Sequence, residues 1–199
     1  MMNTAPKLHH LNAWDRPSSR PLSRRVKTGM AALDEMLPDG GWPKSGVVEI
    51  IVPDSRADAI VLVLPALRRL SCQGGWIAMV TPPLPARASL FMDAVINANK
   101  VLQVNPHPGR SALWTVESML ESGDCAAVLA WPGCGTELMD KRLQMAAVRG
   151  KGLCVLFRSE RHAECHSGID IRLRLEVSEA GRALYWVNQA GESVSGIEL

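Results

Sequence analysis

Thr28-Gly29-Met30-Ala31-Ala32-Leu33-Asp34 and, five residues on, Gly40-Gly41-Trp42-Pro43-Lys44-Ser45-Gly46-Val47-Val48-Glu49-Ile50 decide how this chain is read. Thr28 can cap a short helix over Gly29–Leu37, which Pro38 stops. Asp39–Gly46 carries the glycines and proline of a turn, and Val47–Val52 is a β-branched run of strand length. A helix, a glycine turn and a buried strand therefore open the folded region.

Downstream the pattern repeats as alternating strands and helices. Asp54 or Ser55 can start a helix that runs to Ser71, with a kink at Pro65. Trp76–Thr81, Val101–Val104, Ala126–Trp131 and Leu153–Phe157 read as strands; Ala86–Asn99, Arg110–Glu121 and Thr136–Val148 read as helices. Strands that are apolar without alternation suit the interior of a parallel sheet covered by helices on both faces. Ile169–Val177 instead alternates apolar residues with Asp170, Arg172, Arg174 and Glu176, the pattern of a half-exposed strand. Gly181 turns the chain, and Leu184–Val187 returns antiparallel. The fold class is α/β, with a parallel central sheet and a C-terminal antiparallel hairpin.

The turn after Val47–Val52 is where such a fold would cradle phosphate. That task needs glycines, so that backbone N–H groups wrap the anion, then a lysine and a hydroxyl for Mg²⁺. Here the chain offers Pro53-Asp54-Ser55-Arg56-Ala57-Asp58-Ala59, with no glycine between Gly46 and Gly74 and no lysine. The site lacks what phosphate binding requires, so no cofactor is expected. Cys134, Ser111, Ser118 and the five histidines form no nucleophile–base pattern, so an enzyme is not expected either. His162, Cys165 and His166 lack a second ligand cluster at a metal-binding spacing, and no metal is expected.

The quoted stretch resembles the lead-in to the RecA recombinase core. It is more similar still to the ImuA family, SulA-like RecA homologues associated with translesion synthesis, whose T-G-x-x-A-L-D-x-x-L-P-x-G-G-W-P pattern it carries from Thr28 onward. Leu67-Arg68-Arg69-Leu70-Ser71 and Cys125 through Pro132 extend that similarity, and Thr115–Met119 also reads well against SulA proteins. The resemblance implies a RecA-like core in which the phosphate-loop glycines fall at Val52 and Ala57, the lysine at Asp58 and the threonine at Ala59. The Mg²⁺-linked aspartate falls at Trp131, whose indole would fill the crevice. A nucleotide-sensing glutamine falls at Arg158, in front of a DNA-contacting loop. It further implies a non-catalytic adaptor in error-prone synthesis, with RecA recombinase, an ImuB-like protein and an error-prone C-family polymerase as partners. Self-association and weak contact with single-stranded DNA belong to the same expectation. The alternative it carries is a SulA-like division inhibitor that binds FtsZ.

Charge is uneven. Residues 1–28 hold six Lys or Arg against Asp15 alone, a net of +5, while the remainder carries −3. The expected organisation is a basic, flexible arm over 1–27, a core over 28–190 and a tail over 191–199. Candidate contacts to protein or DNA are Arg20, Arg24, Arg25 and Lys27 in the arm, Trp42 in the glycine turn, and Arg158 and Arg161 in the later loop. For Trp42, packing of the turn onto the core is the reading favoured over contact. Arg68 and Arg69 are expected to face solvent. No apolar run approaches the ~20 residues of a membrane span, and a signal peptide's apolar stretch is missing at the start, so a cytoplasmic protein is expected. Five cysteines without regular spacing fit a reducing compartment and no disulfides.

Overall fold

All seven strand runs read from the sequence become strands of one sheet. The computed structural model describes residues 25–53, 57–83, 91, 94, 96–106, 111–133, 135–162, 167–179, 181–189 and 191–199. Its strands are β1 (Arg25–Val26), β2 (Trp42–Pro43), β3 (Gly46–Val52), β4 (Trp76–Val80), β5 (Val101–Val104), β6 (Cys125–Ala130), β7 (Leu153–Ser159), β8 (Ile171–Ser178), β9 (Gly181–Val187) and β10 (Ser193–Glu198). Its α-helices are α1 (Ala31–Met36), α2 (Leu64–Ser71), α3 (Ala112–Glu121) and α4 (Glu137–Gly150). Among the described residues the main sheet runs β10-β9-β8-β3-β7-β6-β4-β5, and β1 and β2 form a separate antiparallel ribbon. From β8 to β5 all neighbours are parallel; β9 and β10 add antiparallel strands at one edge. The fold is thus α/β with a mostly parallel central sheet, as the apolar runs imply.

Each parallel strand divides its side chains between two cores. Val48, Ile50, Ile77, Met79, Leu129 and Phe157 face the cluster that holds α2 and Trp42. Val47, Ala78, Val80, Val128 and Leu156 face α3 and α4, where Leu113, Val116, Leu143 and Ala147 close over them. Cys154 lies in this second core, and burial pushes its thiol well above the ordinary value. Burial, then the neighbouring Asp124 carboxylate, raises Cys125. Cys72 is exposed. Because the thiolate is the reactive species, a maleimide at pH 7.5 is expected to modify Cys72 in the native protein and to reach Cys125 and Cys154 only on unfolding. Peptide mapping by mass spectrometry checks this, and native labelling of Cys154 would contradict it.

The quoted stretch folds as a single device. Thr28 is buried two residues ahead of the helix, whose N-cap is Met30. Its hydroxyl accepts from the Met30 N–H at 3.0 Å, and its own N–H donates to Asp34 Oδ1 at 2.8 Å. Thr28 therefore pins the helix start from outside instead of capping it. Gly29 has φ +91°, and a Cβ there would meet Pro65 Cβ at 2.7 Å, so glycine lets the turn lie against α2. A Cβ at Gly41 would meet the Val26 carbonyl oxygen at 2.5 Å, where β1 pairs with β2.

Four expectations change. The stretch before α2 is a 3₁₀ segment, Ala57–Leu62, and α2 begins afresh with Pro65 in its first turn; residues 54–56 are outside the described set. Residues 193–198, expected within a tail, form β10 along β9. Arg25 and Val26, expected in the arm, belong to β1, while residues 1–24 lie outside the described set. Strand β8 is half-exposed only in its second half: Arg172 is buried beneath the sheet's helical cover. The expected helix over Ala86–Asn99 falls largely on residues outside the described set, with a 3₁₀ turn at Ala98–Lys100.

Candidate functional site

The carboxyl ends of parallel strands are where an α/β sheet holds a ligand. Here β3 ends at Val52, which is buried in the α2-side core, and Ala59 of the following 3₁₀ segment lies in the same core. Neither presents a polar group. After β6 the Trp131 ring stacks on Phe157 of β7, centroids 4.9 Å apart and planes 16° from parallel. The Trp131 N–H donates to the Val80 carbonyl and the Thr81 hydroxyl to the Trp131 carbonyl, so the backbone at the end of β6 is tied to that of β4. The indole thus packs as the sequence reading supposed. Of the remaining phosphate-loop positions, Ala57 opens the 3₁₀ segment and Asp58 follows it.

The described candidate contact residues lie in different settings. Arg20 and Arg24 lie outside the described residues. Arg25 is tied to Asp39 at 2.8 Å and mostly covered, whereas Lys27 is exposed, with its ammonium 3.5 Å from Asp34. Arg161 is exposed after β7. Trp42 has no exposed surface and forms part of the core, which agrees with the favoured packing reading and leaves its indole no surface for a contact in the folded chain. One expectation is overturned. Arg158 is equally buried and cannot reach DNA: its position on β7 faces the interior under α4, not the loop that follows.

What sequence reasoning missed is the set of charges that holds Arg158 there. Its Nη1 donates to Glu49 Oε1 at 3.0 Å and its Nη2 to Asp140 Oδ1 at 2.8 Å. Arg172, directly across from Glu49 in the β3–β8 register, donates its Nε to Glu49 Oε2 at 2.6 Å. The Ser167 hydroxyl and the Gly168 N–H fill Asp140 Oδ2. Two arginines and two carboxylates thus neutralise one another on the α4 side of β3, β7 and β8. The signal available in the sequence was the single Glu49 inside an otherwise apolar strand. A buried acid in such a run needs a cation, and Arg158 or Arg172 supplies it.

Among the described residues no three His, Cys, Asp or Glu side chains come together as a metal-binding group. Cys165 and His166 of the weighed cluster lie outside those residues, as does Cys134. No helix among the described residues is long and apolar enough to cross a membrane.

Comparison with known proteins adds family to geometry. The family described as "Cell division inhibitor SulA" matches residues 46–154, from the start of β3 into β7. The protein RecA of Delftia acidovorans is 34% identical over 98 residues, covering 49% of this chain and 26% of that protein. RecA of Chlorobaculum parvum is 31% identical over 100 residues, covering 50% and 28%. The chain therefore spans little more than a quarter of the curated relatives it matches. Among solved structures, SulA from Pseudomonas aeruginosa is 22% identical with a TM-score of 0.46, covering 57% of this chain and 97% of that one. With more than half of its length matched by the family, the chain belongs to the SulA family.

Proposed function

We propose that this chain is a non-catalytic partner-binding protein of the cytoplasmic DNA-damage response, built on a degenerate RecA-like core. The observation that carries this reading is the crevice at the strand ends. Val52 and Ala59 are buried in the α2-side core and Trp131 stacks on Phe157, which supports reading these strand ends as lacking the glycines, lysine and hydroxyl that a nucleotide-binding relative would keep. The preferred form of the proposal is the ImuA-type adaptor, which binds recombinase, an ImuB-like protein and an error-prone C-family polymerase. Support comes from the Thr28–Ile50 stretch, most of which precedes the region matched by the SulA family. The family match itself favours the second reading, an FtsZ-binding division inhibitor.

Titration of the purified protein against recombinase and against FtsZ, with and without single-stranded DNA, separates the two. Binding to recombinase alone is the expected result; binding to FtsZ alone would replace the adaptor with the inhibitor. The arm is proposed to carry part of the interface through Arg20, Arg24, Arg25 and Lys27, with Arg161 as the remaining candidate in the loop. Deleting residues 1–24 is expected to weaken recombinase binding at least tenfold while leaving the thermal midpoint in place. An unchanged affinity would remove the arm from the interface. The cut stops before β1, so it spares the ribbon that holds Gly41.

A further inference from the structure

The outer face of α2 carries a feature that neither the strand-end crevice nor the arm uses. Leu64, Pro65, Arg68, Arg69, Cys72 and Ala94 line an open groove of about 630 Å³. The opposite face of α2, with Ala66, Leu67 and Leu70, is buried in the core, so the groove rests on a fixed support. Leu64 and Ala94 continue into that core and give the groove an apolar floor.

Its arginines differ from the others. Arg25, Arg142, Arg149, Arg158, Arg172 and Arg174 each place their guanidinium on a carboxylate or a backbone carbonyl. Neither Arg68 nor Arg69 meets an anion among the described residues. Two cations in the last turn of α2 complement the negative end of the helix dipole, but that needs no groove beside them. Planar guanidinium groups bind carboxylates through paired hydrogen bonds. We propose that this groove docks an acidic peptide segment of a partner protein, with an aliphatic side chain over Leu64, Pro65 and Ala94 and flanking carboxylates on Arg68 and Arg69. A nucleic acid fits less well, since two phosphate contacts give weak, salt-labile binding and no aromatic side chain among the described residues lines the groove for base stacking. The inference rests on the partner-binding reading above but not on which partner is bound.

Cys72 supplies the readout, because a segment lying in the groove covers its thiol. A peptide-display selection on the full chain, counter-selected on R68E/R69E, is expected to enrich sequences pairing acidic residues with an aliphatic anchor. The synthetic peptides should bind at least tenfold more weakly to R68E/R69E and to the milder R68Q/R69Q, and should slow maleimide labelling of Cys72. The thermal midpoints of both variants should stay within a few degrees of the parent. Failure to enrich such peptides, enrichment indifferent to the substitutions, or protection of Cys72 by a single-stranded oligonucleotide and not by peptide would each overturn the proposal. Repeating the recombinase and FtsZ titrations with R68Q/R69Q separates the two levels of inference. Undiminished partner binding would refute the groove and leave the partner-binding reading standing. Absence of both partners alongside peptide binding would support the groove while removing the functions proposed for the chain.

Discussion

Arg158→Met is expected to destabilise the protein by about 3–5 kcal/mol, the range found when one partner of a buried ion pair is removed. For a domain of this size that corresponds to a fall in thermal midpoint of roughly 6–20 °C. Arg158 bridges Glu49 of β3 and Asp140 of α4, and none of the three has exposed surface. Without it Asp140 keeps the Ser167 hydroxyl and the Gly168 N–H but has no cation, and Glu49 keeps only Arg172. The methionine fills much of the volume, so the loss reports charge left unpaired rather than a cavity. Arg142 provides the control. Its bond to Glu117 is shorter, at 2.6 Å, but its side chain is half in water. Arg142→Met should therefore cost no more than about 1 kcal/mol. Urea unfolding of the two variants gives the ordering directly, and an Arg158→Met protein within 1 kcal/mol of the parent would refute the energetic importance of the network. Adding Asp140→Leu to Arg158→Met should restore part of the loss, because the second change removes the stranded carboxylate.

That network also marks the boundary of what the sequence made legible. The inner parallel strands could be read because residues covered on both faces leave no alternation, and Leu153–Phe157 lies wholly within β7; Val101–Val104 also matches β5 residue for residue, although Leu102 and Gln103 are exposed at the sheet edge. Helices α3 and α4 were legible from their apolar spacing, and Thr136 accepts from the Met139 N–H as an N-cap should. Arginine misleads for a physical reason. Its ordinary place is at the surface, so Arg158 reads as a contact and Arg172 as the wet side of β8, although both are interior ions whose partners lie more than a hundred residues away in Glu49. Strand β10 was missed for the opposite reason. It buries so little, with only Ile197 packed against the core, that Ser193–Glu198 shows no period of two. The loss of a long helix before α2 was half visible: Pro65 signalled a break, but not that the preceding residues tighten to a 3₁₀ segment. Of the candidate site, the packing role of Trp131 could be read from the sequence, whereas the groove on α2 could not. Arg68 and Arg69 look like any solvated pair until the lack of a counter-charge for them among the described residues is seen in three dimensions.

Trp42→Ala is expected to be the other severe change, and its logic separates packing from recognition. The indole is fully enclosed in the core shared by Val26, Leu33 and Leu37, so truncation removes its apolar burial and leaves a cavity. Substitutions of this kind cost about 3–5 kcal/mol. The same residue aligns β2 against β1, with Trp42 opposite Val26, so the loosened ribbon should also free the arm that enters through it. Trp42→Ala would therefore weaken partner binding under either functional reading, which alone could mimic a lost contact. Trp42→Phe resolves the ambiguity. The indole Nε1 has no hydrogen-bond partner among the described residues, so phenylalanine forfeits ring volume but no polar interaction. Stability should then fall by only about 1–2 kcal/mol, the scale of a partial loss of buried apolar surface, and affinity for recombinase should remain near that of the parent. Denaturant titration and the binding assay, run on both variants, give the comparison. If Trp42→Phe folded with parental stability yet lost its partner, the tryptophan would have to leave the core to make contact. The enclosed ribbon seen here would then be only one of two arrangements of the Gly40–Pro43 turn.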